Sequence, residues 1–456
     1  MSKRDSTETE QRVFPGTGKR QWEPPRGAEL QESGTVTCTG GRMPPFAVWL
    51  SLLHCLVCWG GTAHAETEPY HTPLAGEAGE VVFLGETVSI PGVDRSNMTS
   101  ITLGASLLFP QQGDTSVLPV AAFYHRRIKE QTRARCMVGV FVNELEYDQN
   151  LGAAELVTHF ESNTLPVPHS ELLDGAEVKG TSLYWGTLLG SMGTGWRLPV
   201  HPFQVDNDIR LQLLARVGYF YAEPDDDTAP LLWAPPDTLL YGARLRGRYD
   251  GMRRNLLELP HNGVAAGWDA DYLHRDRWRE QTGDSTVNGH RDFLKLSGYL
   301  VGASGVPGLS ERDRLLFCLY GGQTMKSRGD RFNAFRINGA TFPSEADDLP
   351  RPHYSGIIYD SLLATSYVTA SAGYRREFTF FLYLTALGSY IRADRATVQG
   401  GEQVVFKGKE GAAGTVSIDS AFFWDSSLYL AYTWESGVIR NGRSGGGVTM
   451  IWNKLF

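Results

Sequence analysis

From Ile209 to Tyr221 the chain alternates for thirteen residues. Ile209, Leu211, Leu213, Ala215, Val217, Tyr219 and Tyr221 fall on one parity, while Arg210, Gln212, Arg216 and Gly218 fall on the other. A period of two separates the two sets onto opposite faces of a β-strand. The pattern recurs in Ile101, Leu103, Ala105, Leu107 and Phe109 against Thr102, Gly104 and Ser106, and in Leu428, Leu430, Tyr432 and Trp434 against Tyr429, Thr433 and Glu435. Strands of soluble sandwiches usually run about 5 to 6 residues and carry Lys and Glu freely on the solvent face. These runs are longer and gather aromatics at their ends, as a tilted strand does when its apolar face meets lipid between two interfacial girdles. No segment after Glu66 keeps an apolar stripe at i, i+3, i+4 and i+7 for three turns. The expected fold is all-β: a transmembrane antiparallel β-barrel of about 16 strands (range 14 to 18), with both termini on the periplasmic side.

The N-terminal part has a different character. Residues 1–42 are polar and rich in Gly and Pro, and they read as a disordered or overcalled extension ahead of Met43. Residues 43–65 carry the order of a secretory signal peptide: Arg42 as positive flank, an apolar run from Phe46 to Trp59, and the small-x-small end Ala63-His64-Ala65. The apolar run is shorter than the roughly 20 residues a spanning helix needs. Cleavage is expected before Glu66, leaving a short periplasmic segment over 66–99 and the barrel over 100–456. Only Cys136 and Cys318 follow the leader, so a disulfide framework is excluded.

Charge is informative mainly by its placement. The whole chain has 43 Lys+Arg against 51 Asp+Glu, a net charge of -8, and no Lys/Arg-rich block. Nucleic acid is therefore not an expected partner. Within Leu239 to Asp250, one parity holds Arg244, Arg246, Arg248 and Asp250. Within Val264 to His274, the polar parity holds Asp269 and Asp271, opposite in direction to Val264, Ala266, Trp268 and Tyr272. Paired as a hairpin, these runs would set a basic row against an acidic one inside the lumen. The same charges facing lipid would cost about 2 to 4 kcal/mol each at the midplane.

The chain end repeats the alternation in Val448, Met450 and Trp452 and finishes on Phe456. A last strand that closes a barrel pairs with the first, because an unpaired backbone row in hydrocarbon costs several kcal/mol per group. Lys454 breaks the apolar parity but can snorkel at the interface. A terminal Phe on such a strand is similar to the signal read by the barrel assembly machinery. That machinery, outer-membrane lipid and lipopolysaccharide are the expected partners, and the cell outer membrane of a Gram-negative bacterium is the expected location.

No segment points to catalysis, a cofactor or a metal. Gly442-Arg-Ser444-Gly-Gly446 spells a nucleophile elbow, which requires a following helix, and reads instead as a glycine-rich turn into the last strand. Gly190-Ser-Met-Gly-Thr-Gly195 is likewise expected to be a turn. Asp225, Asp226 and Asp227 are expected to be solvated loop acids.

The segment Tyr249–Gly263 resembles the hairpin signature of the Omp85 or bacterial surface antigen (D15) barrels, with Asp250, Arg254, Asn255, Pro260 and Gly263 at comparable places. Asp330-Arg-Phe-Asn-Ala-Phe-Arg-Ile-Asn-Gly-Ala340 resembles the stretch that precedes the inward-folded loop of that family. The Arg-Gly-Tyr/Phe loop tip of transporting members is replaced by Arg351-Pro-His-Tyr-Ser-Gly356, and Glu66 to Ser100 leaves no room for a POTRA module. The resemblance implies a barrel-only member, acting without catalysis as a pore or scaffold in envelope transport or assembly, its cargo unnamed. An outer-membrane lipid or lipopolysaccharide hydrolase and a general porin are the alternatives.

Overall fold

The computed structural model describes residues 70–456, apart from 84, 111–115, 141, 165–169, parts of 171–179, 231, 233, 283–284, 289, 326–329, 340–346, 356–361, 400–401, 424–425 and 438–443. The polar extension, the leader and its cleavage residues Ala63 and Ala65 lie outside the described residues.

Sixteen long strands run antiparallel and close on themselves. They are β1 (Asn97–Pro110), β2 (Ser116–Ile128), β3 (Thr132–Gly139), β4 (Asn143–Leu151), β5 (Ala154–Thr164), β6 (Leu183–Pro199), β7 (Asp208–Pro224) and β8 (Thr238–Asp250). Then follow β9 (Pro260–Arg275), β10 (Asp292–Gly305), β11 (Asp313–Met325), β12 (Leu362–Thr379), β13 (Leu382–Gln399), β14 (Glu402–Phe423), β15 (Ser426–Glu435) and β16 (Gly445–Leu455). Two short strands, Arg253–Arg254 and Phe335–Ile337, add to β9 and β12 at their edges. Closure is made by β16 on β1, from Gly445 opposite Pro110 to Leu455 opposite Ser100. That pairing supplies the backbone partners which hydrocarbon cannot.

The two parities separate as a membrane barrel demands. Along β7, Leu211, Leu213, Val217 and Tyr219 face outward, with Leu213 58% and Val217 62% exposed, while Gln212 and Arg216 are buried inside. The outward rows of β1, β8 and β9 are equally apolar, among them Leu103, Tyr241 and Trp268. Large apolar side chains so exposed over a whole closed sheet mark it as a lipid-facing surface.

The Gly190–Gly195 segment is a correction: it lies in the middle of β6, not in a turn. A Cβ at Gly195 would stand 2.8 Å from both Gln212 Cγ and Glu155 Oε1, and one at Gly193 would overlap the carbonyl of Leu213. The glycines leave space for the Gln212–Glu155 pair, whose Nε2 donates to Oε1 at 2.6 Å, and let β6 approach β7 closely. Cys136 and Cys318 are both free thiols.

Turns at the end bearing both Asn97 and Phe456, here the terminal end, are mostly short; the opposite, loop end carries the longer connections. The longest of these, between β11 and β12, enters the lumen. Its described residues begin with a single 3-10 turn, Arg331–Asn333, capped by Asp330, whose carboxylate accepts from Asn333 N–H. Phe332 lies against Trp185, Phe220 and Trp278, a T-shaped aromatic cluster that fills the loop end. Arg275 stacks 3.5 Å over the Trp278 ring and donates to Asp330 at 2.7 Å, joining this cluster to the loop. Farther in, Leu349 and Tyr354 are fully enclosed.

Candidate functional site

The lumen has two unlike halves. Facing β3 to β9 is a wall of buried charge. The β8–β9 register sets Arg244 opposite Asp271 and Arg246 opposite Asp269, so the basic row and the acidic row of the sequence meet directly. Arg244 Nη2 donates to Asp271 at 2.9 Å, and Arg248 Nη2 donates to Asp269 at 2.5 Å. Neighbouring strands extend the set. Glu161 on β5 accepts from Arg244 at 3.1 Å and from Arg216 of β7, which also reaches Asp271. Glu146 on β4 lies 3.2 Å from Arg246 and 3.4 Å from Arg135. The acids Glu146 and Glu161 were not singled out from sequence. The signal for Glu146 was the alternation of Glu144, Glu146 and Asp148 beside Arg133 and Arg135, the same pattern read in the β8–β9 hairpin.

The inward loop spans from β12 to this wall. Asp347 pairs with Arg135 and accepts from the Tyr124 hydroxyl at 2.6 Å. Arg351 bridges Glu144 at 3.2 Å and Asp348 at 3.1 Å. The two arms of the loop are joined at their base, where Asn338 and His353 pair and Tyr354 N–H donates to the Asn338 carbonyl at 2.9 Å. Burying so many charges costs more desolvation than isolated pairs return, so the network specifies the geometry of the wall and loop more than it stabilises them.

The other half, facing β1, β2 and β13 to β16, encloses a cavity of about 620 Å³. Its lining is mostly apolar, with Val120, Ala122, Leu387, Leu428 and Ile451 among the strand residues; hydroxyls such as Thr102, Thr415, Ser417 and Tyr429 are interspersed, and Arg375 and Asp419 are among its charged groups. Cross-strand hydroxyl contacts, such as Thr415 with Thr433 at 2.8 Å and Ser371 with Ser389 at 2.8 Å, replace ion pairs here.

The hairpin residues Asp250, Arg254, Asn255, Pro260 and Gly263 come together at the terminal end. Asp250 follows the lumen row but turns to Arg254, which donates to it at 2.8 Å. The Asn255 side-chain oxygen Oδ1 accepts from Leu257 and Leu259 N–H at 3.1 and 2.9 Å, which shapes the β8–β9 turn. Pro260 offers its carbonyl to Arg375 at 2.9 Å. Gly263 has φ 110° and sits where a Cβ would be 2.3 Å from the Gly251 carbonyl. Around Arg254 the structure gathers residues invisible to the motif. Arg95 donates to Asp206 at 3.0 Å and to Glu258 at 2.7 Å, and Arg254 also reaches Asp206 at 3.3 Å. Burial alone would raise the Asp206 carboxyl, but the charges of Arg254, Arg95 and Arg126 outweigh it and hold the group well below the usual carboxylate range.

At the seam, Val448, Met450 and Trp452 stand opposite Leu107, Ala105 and Leu103. Lys454 lies 5.6 Å from the Phe456 ring. Phe456 N–H donates to the Thr99 carbonyl at 2.8 Å, while its ring is 64% exposed. Among the described residues no group of three His, Cys, Asp or Glu is placed to hold a metal. Asp225 is engaged locally, accepting from Ser182 at 2.5 Å and Thr228 at 2.8 Å.

No family model matches the chain, and no curated protein matches it. Solved structures similar to it are themselves barrels. CdiB from Acinetobacter baumannii matches with 9% identity over 85% of this chain and 66% of that one, at a TM-score of 0.45. BamA from Haemophilus ducreyi, lacking POTRA domains 1–3, matches with 10% identity over 89% and 78%, at 0.44. OmpT of Vibrio cholerae, a trimeric outer-membrane protein, matches with 8% identity over 78% and 98%, at 0.35. The chain thus spans just under two thirds of the CdiB chain. At these scores the likenesses assign neither family nor role, and the protein is a large transmembrane β-barrel by its own closure and lipid-facing surface.

Proposed function

We propose that the protein is a non-enzymatic pore of the Gram-negative outer membrane, serving envelope transport or assembly in the manner of the surface antigen D15 group. The observation that carries this reading is the cavity of about 620 Å³ in the half of the lumen beside the charge wall, lined by apolar side chains and strand hydroxyls. A scaffold needs only the wall. A cavity inside the closed ring of lipid-facing strands is the space that a solute path requires. In this reading Ala63 and Ala65 mark the site where the leader is removed, the terminal end faces the periplasm, and Phe456 with its strand is read by the assembly machinery. Lipid and lipopolysaccharide contact the outward rows.

The test is ion conductance of the purified full-length protein in planar bilayers. Discrete current steps that scale with KCl concentration are expected. Bilayers that stay silent, both with the intact protein and after the inward loop is excised, would leave only the scaffold role.

A further inference from the structure

We propose that residues 70–96 form a displaceable plug at the terminal end of the lumen, so that the barrel alternates between a plugged state and one in which the cavity opens to the compartment on that side. The proposal rests on the pore reading above. Gly76, Ile90, Pro91 and Val93 of this segment border the cavity together with the 256–259 turn, so the segment is part of the cavity's floor.

Its attachment is discrete. The hairpin Gly79–Phe83 with Glu86–Ile90 forms a two-stranded sheet of its own, outside the barrel ladder. The segment is held at several places, among them His71 on Glu311 at 2.9 Å. Leu74 pairs with Asn255, flanked by Ala75 N–H donating to Arg254 O at 3.0 Å and Leu256 N–H donating to Pro73 O at 3.1 Å. Thr72 donates to Glu377 at 2.8 Å, and Phe83 packs edge-on against Phe381 at 5.4 Å. Arg95 holds the exit of the segment through Asp206 and Glu258. Detachment would therefore leave the barrel ladder intact, at the cost of the contacts just named. Glu258 has φ 60°, a left-handed conformation disfavoured for a side-chain-bearing residue, and its carboxylate is the one that grips Arg95. The inward loop is continuous with the barrel at both ends, through β11 and β12, and is ion-paired into the wall by Asp347 and Arg351, whereas the 70–96 segment joins the barrel strands at its β1 end alone; the loop is therefore the fixed part of the lumen filling and the 70–96 segment the removable part.

The two backbone bonds flanking Leu74 and Asn255 mark them as a non-hydrogen-bonded antiparallel pair, with Cα atoms about 4.5 Å apart and within reach of a disulfide. The test uses the full-length Leu74→Cys/Asn255→Cys protein in planar bilayers in KCl, oxidised and then reduced, with Leu74→Cys alone as control. Oxidised protein should stay at low conductance, and reductant should raise the open fraction on the order of tenfold. Arg95→Gln should raise it without reductant and expose sites within 70–96 to limited proteolysis. Two outcomes overturn the plug and leave the pore standing: equal conductance in oxidised and reduced protein, or a protease-accessible segment in Arg95→Gln with wild-type conductance. Silence in every state, including the loop-excised barrel, overturns both.

Discussion

Arg254 shows how much one side chain can organise. It is fully enclosed between Asp206 and Asp250. Arg254→Ala would leave both buried carboxylates short of a partner, a loss of about 3 to 5 kcal/mol. The expected result is a lower urea midpoint with the barrel still heat-modifiable on gels. Gly263→Ala should destabilise by about 1 to 3 kcal/mol, because the left-handed backbone and the Gly251 carbonyl at 2.3 Å both oppose a Cβ. Acid should act through Asp206. Its folded carboxyl titrates below the unfolded value of about 3.9, so its contribution is complete above that pH and is lost as pH falls through the lower folded value. Hydrogen exchange of 70–76, corrected for intrinsic rates, should therefore be level from pH 7 to 5 and rise only below about 4. Greater exchange already at pH 6 would contradict this. Asp250, Arg254 and Asn255 stood out in sequence because five neighbours in one turn share a motif. Arg95 and Asp206 did not, since they are 111 positions apart and neither carries a local pattern.

At the scale of the strand, period two was fully legible. Lipid on one face and lumen on the other penalise every out-of-phase residue, so each strand records its own orientation. Single cysteines at Leu211, Leu213 and Val217 should label with a lipid-soluble thiol reagent, and those at Gln212 and Arg216 with a small water-soluble one. Uniform labelling by the water-soluble reagent would exclude a membrane-embedded β7. The Arg and Asp rows of β8 and β9 were also legible, because in a hairpin a row of lumen charges calls for the opposite charges on the facing strand. Gly190 to Gly195 was misread, since glycine marks both a turn and a strand whose neighbour needs room; only Gln212 and Glu155, from other strands, decide which. The last strand allows a sharper prediction. Phe456 buries little of its ring and makes one backbone bond to Thr99, so deleting it should barely move the urea midpoint. Inserted yield in cells should fall far more. Unchanged yield would refute the terminal Phe as an assembly signal.

For the whole molecule, the inward loop and the cavity beside it set the limits of the proposed pore. Asn338 and His353 are held together at the loop base, so residues 340–351 can be replaced by a short linker without pulling β11 from β12. The excised barrel should remain heat-modifiable and conduct several-fold more, because the loop occupies the lumen between the charge wall and the cavity; wild-type conductance would show that the current bypasses the loop. The sequence by itself determined an all-β membrane barrel, its lipid and lumen faces, and the facing charge rows of one hairpin, because alternation and hairpin pairing act between residues close in the chain. Only the tertiary structure decided the loop's path through the lumen and the seating of 70–96 on Arg254, Asp206 and Glu377. Those features depend on where strands distant in sequence bring their inner faces once the sheet curls and closes, and no local pattern records that meeting.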